Sequence, residues 1–244
     1  MLMKSKTDDI DPVRRSLLVK MLAAGAFAAG TARVASAQVL GKTPGVLPKG
    51  KSIYSLDGRA LVNNQPATLD TIIKATDKIE TAEGGRIIFV VGQDAFILRE
   101  HSRLELGSTG DEYVIDTLRV LSGKLLSVFG KSKHTVQTVT ATIGIRGTGL
   151  YVESETDQSY ICTCYGVTEL QAIDDPTQHE TIQSHHHDAP RYILANGAGG
   201  GRIRPAPFKN HTDEELELIE ALVGRVPPFV LPGDSYATPR RTEY

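Results

Sequence analysis

Thr140-Ala141-Thr142-Ile143-Gly144-Ile145-Arg146-Gly147-Thr148-Gly149-Leu150-Tyr151-Val152 mixes β-branched and apolar residues with three glycines inside six positions. Such a stretch reads as strand, with places where the backbone takes positive φ or lets another chain segment come close. Arg146, set among the glycines, is either a buried fork to backbone carbonyls or a surface contact to a ligand, and the structural role is the expected one.

Outward from this stretch the pattern stays β. Arg86–Val91 and Ala95–Arg99 flank Gly92-Gln93-Asp94 and read as a hairpin. Leu118–Leu121 and Lys124–Phe129 flank Ser122-Gly123 and read as a second hairpin. Further strands are expected at Thr135–Val139, Gly149–Glu153, Tyr160–Cys164, Val167–Ile173 and Thr181–Gln183. Short strands separated by turn signals predict an all-β domain over residues 38–194: a sandwich, a roll or a short solenoid. Residues 195–211 then read as a glycine-rich, basic connector. One helix follows over residues 212–224. Thr212 and Glu215 form a capping box, and Leu216, Ile219, Leu222 and Val223 recur at helical spacing. The Pro-rich tail over 225–244 is expected to be extended, with Phe229 and Val230 laid on the surface.

The first 37 residues are a different polymer. Arg14-Arg15 precedes an apolar run from Met21 to Gly30, and Ala35-Ser36-Ala37 supplies small residues at a cleavage site. That order is an export signal, and the paired arginines point to the twin-arginine route. The route carries folded proteins, many of which load a cofactor first. Lys20, Arg33, Gly25 and Gly30 interrupt the run, so no membrane-spanning helix is expected after cleavage, and the expected location is the bacterial periplasm. Over 244 residues, 27 basic and 29 acidic side chains give a net charge of −2. Six of the basic and three of the acidic residues lie in 1–37, so the remainder carries 21 against 26, a net charge of −5. Nothing in that balance suggests a nucleic-acid partner.

Both cysteines, Cys162 and Cys164, lie two apart in an expected strand. They share a face there, with Cα atoms about 6.6 Å apart, which disfavours an unstrained bridge between them. Two thiolates on one face suit a soft metal ion. His185-His186-His187-Asp188 follows some 20 residues later. If that run is extended, His185 and His187 share a face, and a site of Cys162, Cys164, His185 and His187 becomes available to Zn, Cu or Fe. Asp188 is then placed to fix a histidine tautomer. Three other readings stay open: cysteines as small core residues, cysteines as a strained redox pair, and histidines as a solvated loop. His101, His134, His179 and His211 read as structural or exposed singles.

Thr140–Val152 resembles the signature segment of the FecR-like domain, a bacterial periplasmic all-β module. Thr76-Asp77-Lys78-Ile79-Glu80-Thr81, Gly92-Gln93-Asp94-Ala95 and Leu121-Ser122-Gly123-Lys124-Leu125 are similar to three further segments of that family, in the same order. The resemblance implies a FecR-like fold and the periplasm. Thirteen residues precede Arg14, too few for the anti-sigma segment of the family's transmembrane regulators, so that role is not expected to transfer. The expectation is a non-enzymatic module that senses, scaffolds or binds a periplasmic protein or small ligand. The alternative is an enzyme using Cys162 and Cys164 as a redox or metal centre.

Overall fold

Asp94–Leu98 is buried at every position, and so are Ile87, Ile88 and Phe89. A sheet with one wet face alternates apolar and polar residues, so these strands must be covered on both sides. The computed structural model, which describes residues 44–197 and 201–230, shows the two covers. The expected export signal (1–37), residues 198–200 of the expected connector and the tail beyond Val230 lie outside the described residues.

The protein is all-β, with one C-terminal α-helix among the described residues. Its strands are β1 (Ile53–Asp57), β2 (Ala60–Val62), β3 (Gln65–Pro66), β4 (Lys78–Thr81), β5 (Arg86–Val91), β6 (Asp94–Leu98) and β7 (Arg103–Gly107). There follow β8 (Thr117–Val128), β9 (Lys133–Gln137), β10 (Ala141–Ser154), β11 (Gln158–Ala172), β12 (Asp175–Ser184), β13 (Arg191–Leu194) and β14 (Ile203–Pro205), then α1 (Asp213–Leu222). All fourteen strands belong to one folded sheet.

Three long strands make the fold turn back on itself by changing partners midway. The first half of β8 pairs with β7 and runs parallel to β9, whereas its second half lies between β6 and β10. Likewise β10 leaves β9 for β8 after Arg146 while keeping β11 beside it. One end of β11 pairs with β13 and the other with β12. The larger core fills the fold's interior with Phe89, Phe96, Leu98, Leu125, Leu150, Val152 and Ile161. The alternate residues, among them Ile88, Ile97, Leu126, Tyr151, Tyr160 and Cys162, form a second core on the outer face, closed by Leu216, Ile219 and Leu222 of α1.

Several expectations change here. Leu118–Phe129 is not a hairpin: Gly123 sits inside one twelve-residue strand. With φ of 87° it bends the strand, and a Cβ there would lie 2.1 Å from Ser102 Oγ, so the glycine serves close approach rather than a turn. Tyr160–Cys164 and Val167–Ile173 also join into one strand across a break in register next to Gly166, φ 91°. Beside it Gly147 takes positive φ, while Arg146 is exposed, so the buried-fork role is not the one it plays. The connector is partly ordered sheet, since Ile203–Pro205 pairs with β13. Phe229 is partly buried against the second core rather than laid outside it.

Gly123→Ala should therefore destabilise the fold by about 2 to 5 kcal/mol, from the strained φ and the clash with Ser102 together. Urea unfolding checks this, the expected change being a lower midpoint with an unchanged slope.

Candidate metal centre

The centre is built where β11, β12 and the approach to α1 meet. Cys162 and Cys164, two apart on β11, both point to the outer face and are fully buried. Strand β12 reaches β11 at Ser184 opposite Gly166, and there the chain turns. Asp188 Oδ2 accepts from the backbone N–H of His185 at 2.8 Å and of His186 at 3.4 Å, and Ser184 Oγ accepts from Asp188 N–H at 3.0 Å. His187, at φ 56°, donates its backbone N–H to Cys164 O at 2.9 Å, which carries its ring inward. His211 comes from the other side, directly before the helix cap Thr212, and stacks on Tyr151 at 4.4 Å between ring centroids.

Cys162 Sγ lies 3.4 Å from His187 Nδ1, and Cys164 Sγ lies 3.4 Å from His211 Nε2. His211 Nε2 and His187 Nδ1 are 3.1 Å apart, and all four ligand atoms fall within 4.8 Å of one another. A tetrahedral ion bound at about 2.3 Å to sulfur and about 2.0 to 2.1 Å to nitrogen needs ligand separations of about 3.3 to 3.8 Å. The cluster is close to that size, and all four residues are buried.

The outer nitrogens of both rings are already committed. His211 Nδ1 lies 2.8 Å from Lys209 O, which can only accept, so that nitrogen carries the proton. His187 Nε2 lies 3.0 Å from Asp213 Oδ1, whose carboxyl is held well below the usual range: burial opposes this, and hydrogen bonds from His186 and His187 outweigh it. With both outer positions protonated, neutral rings would direct two bare lone pairs at each other across 3.1 Å. A cation or a shared proton has to stand between them. Without an ion the protons supply the balance. Burial would raise the Cys162 thiol, but hydrogen bonds from Cys164, His187 and His211 hold it well below its ordinary value. Burial and the neighbouring Cys162 push Cys164 well up. Burial alone would lower His187, but Asp213 and Cys162 bring it up to about 9. The arrangement can thus hold a soft cation, or a buried thiolate–imidazolium pair.

Of the residues read from the sequence, Cys162, Cys164 and His187 come together. His185 does not: its side chain is 88% exposed, with Nδ1 3.8 Å from Asp188. The physical reason is the turn, because Asp188 folds the histidine run that an extended strand would have kept straight. Asp188 shapes that turn, and Asp213 takes the tautomer-fixing role. His211 fills the fourth place, a residue that reads as a lone histidine 47 positions from Cys164; its only sequence signal is its seat next to the capping box. Both cysteines are free thiols. His134 is buried with Nδ1 on Ile115 O, and His101 and His179 are exposed. The basic residues of the connector region are mostly paired: Arg191 with Glu180, Arg202 with Asp174, Lys209 with Glu153.

No family model matches the chain, and no curated protein matches it. Two solved structures of a candidate anti-sigma factor from Parabacteroides distasonis, at 1.65 and 2.50 Å resolution, are each 12% identical with a TM-score of 0.42. The likeness covers 53% of this chain and 58% of that one, so the chain spans little more than half the length of this neighbour.

Proposed function

We propose that this is a non-enzymatic, FecR-like binding module of the bacterial periplasm, whose C-terminal segment is stapled to its sheet by a tetrahedral zinc ion. The observation that carries the reading is the convergence of Cys162, Cys164, His187 and His211, with both histidines oriented from behind by Asp213 and Lys209. Two thiolates and two imidazoles in a tetrahedron favour zinc over copper or iron. Four protein ligands fill such an ion's coordination, leaving no position for water or substrate, which is the mark of a structural rather than a catalytic site. Export in the folded state supports the same reading, since the ion would be loaded before the thiols meet an oxidising compartment. The thiolate–imidazolium pair favours a second reading, a redox or metal-centred enzyme using Cys162 and Cys164.

Metal analysis of protein purified from the periplasm separates the zinc staple from a metal-free redox pair. About one zinc per chain is expected, lost in Cys162→Ser and in His211→Ala but kept in His185→Ala. Protein that is metal-free and takes up none when reduced would leave only the redox reading. Chelation of the loaded protein should lower Tm on the order of 10 °C, as expected for removing a ligand held a thousandfold above its dissociation constant.

Asp213→Asn should keep the stoichiometry and weaken zinc affinity about 10- to 100-fold, read by competition with a chromogenic chelator. An unchanged affinity would show that Asp213 does not orient His187.

A further inference from the structure

All four residues of the cysteine and histidine cluster are buried, so an ion needs a way in. One of its rings leads outward. His187 turns Nδ1 toward Cys162 and His211, and Nε2 toward Asp213, whose Oδ1 it meets at 3.0 Å. The same Oδ1 lies 2.9 Å from His186 Nε2. His186, His187 and Asp213 thus form a second group, whose ligand atoms lie within 4.8 Å of one another, joined to the first through a single imidazole.

This second group is open where the first is closed. The His186 side chain is 44% exposed, and with His185 it lines a cavity of about 630 Å³ on the outer face, walled by Phe129, Tyr165, Pro228 and Phe229. No residue of the four-ligand cluster lines that cavity, so an ion in solvent meets His186 first. The outer group also holds a cation less firmly. Asp213 is the first residue of α1, where the helix dipole opposes positive charge, and three ligands leave an ion partly hydrated. A neutral imidazole has one bare lone pair, so His187 serves an ion through Nε2 or through Nδ1 and not through both. Filling the inner cluster therefore takes a ligand away from the outer group. Weak, exposed and exclusive of its neighbour, the outer group has the properties of a transfer station rather than of a second storage site.

We propose that His186 Nε2, the Asp213 carboxylate and His187 Nε2 form a loading site, through which a borderline divalent cation of the zinc or cobalt(II) type passes between solvent and the buried cluster. Two imidazole nitrogens and a carboxylate oxygen suit such an ion, and they replace its waters stepwise before the sulfurs take it. Phe229, stacked on His186 at 4.5 Å, holds that ring in place. The inference rests on reading the buried cluster as a metal centre.

Stopped-flow mixing of the full mature protein, reduced and stripped by chelator, with cobalt(II) chloride tests it. Thiolate-to-cobalt absorption in the near ultraviolet reports arrival at the sulfurs. In the native chain the loading rate should saturate as cobalt rises, because the outer group fills first. His186→Ala should make the rate linear in cobalt and, at low cobalt, slower by on the order of tenfold. Release into excess chelator should slow by the same factor, since a station on the path speeds both directions and leaves the dissociation constant unchanged. His186→Gln keeps a donor for Asp213 without the imidazole lone pair and should load as slowly, whereas His185→Ala should load at the native rate. Native or faster loading in His186→Ala, native rates in His186→Gln, slow loading in His185→Ala, or a dissociation constant changed as much as the rate would each overturn the loading site and leave the four-ligand centre standing. Absence of thiolate absorption in the native chain would overturn both.

Discussion

Tyr151, Tyr160, Cys162, Cys164 and Tyr165 all stand on the outer face of the sheet, and something has to keep water from them. What does so is the chain from Phe208 to Phe229, of which only Asp213–Leu222 is helical. A ten-residue helix is marginal alone in water, so it exists because it is docked. Its docking is local and point-like. Leu216, Ile219 and Leu222 are buried, Glu215 meets Arg99 at 2.8 Å and Arg86 at 3.6 Å, and Leu47 N–H takes up the Leu222 carbonyl. At the upstream end Glu153, buried on β10, accepts from Tyr151 and Asn210 and pairs with Lys209 at 2.7 Å. His211 sits between these anchors, so whatever occupies the cluster also decides how firmly the cover is held.

Charge neutrality constrains that occupant. A divalent ion with two thiolates is neutral, and so is a thiolate, a thiol and one imidazolium without the ion. Either way the buried centre avoids a net charge that the apolar surroundings of Tyr151 and Phe208 could not solvate. The two states differ in what they fix. Without the ion, protons link the groups one bond at a time, Cys162 to His187, Cys164 to His211 and ring to ring, whereas an ion orders all four at once. Three of the four come from the sheet and its β12 turn, and only His211 comes from the cover. A proposed ion therefore gains the geometry of β11 nearly prepared and adds the long-range tie, the one with the largest loop-closure effect.

The strands were legible where burial is one-sided or complete over a short run. Arg86–Val91 and Asp94–Leu98 declare a hairpin, and their continuous apolar sequence already implies cover on both faces. Breaks in the long strands were not legible, because Gly123 and Gly166 look like turn residues while acting as bends within continuous strands. Sequence shows that a glycine is permitted a special φ or a close contact, but not which segment approaches it; Ser102 against Gly123 is a tertiary fact. The cluster follows the same division. Cys162 and Cys164 are read from period-two alternation, which is local. Neighbouring histidines suggest one strand and so favour His185 over His211, whereas the local physics that prevails is Asp188 capping a turn.

The separation between cluster and cavity bears on the kind of chemistry this face supports. A nucleophilic or redox cysteine must reach its partner, yet both sulfurs are sealed beneath Phe208, Tyr151 and the two rings, and neither cysteine lines the cavity. The route from one to the other runs through His186, which shares Asp213 Oδ1 with His187 and stacks on Phe229. That route passes through orientation and not through a reacting atom: Asp213 fixes two rings, one facing the sulfurs and one supporting the cavity wall. The closed cluster and Phe229 are thus joined through Asp213 and His186, and the sulfurs stay sealed beneath them. With the proposed ion bound, the two sealed cysteines would tie the cover to the sheet.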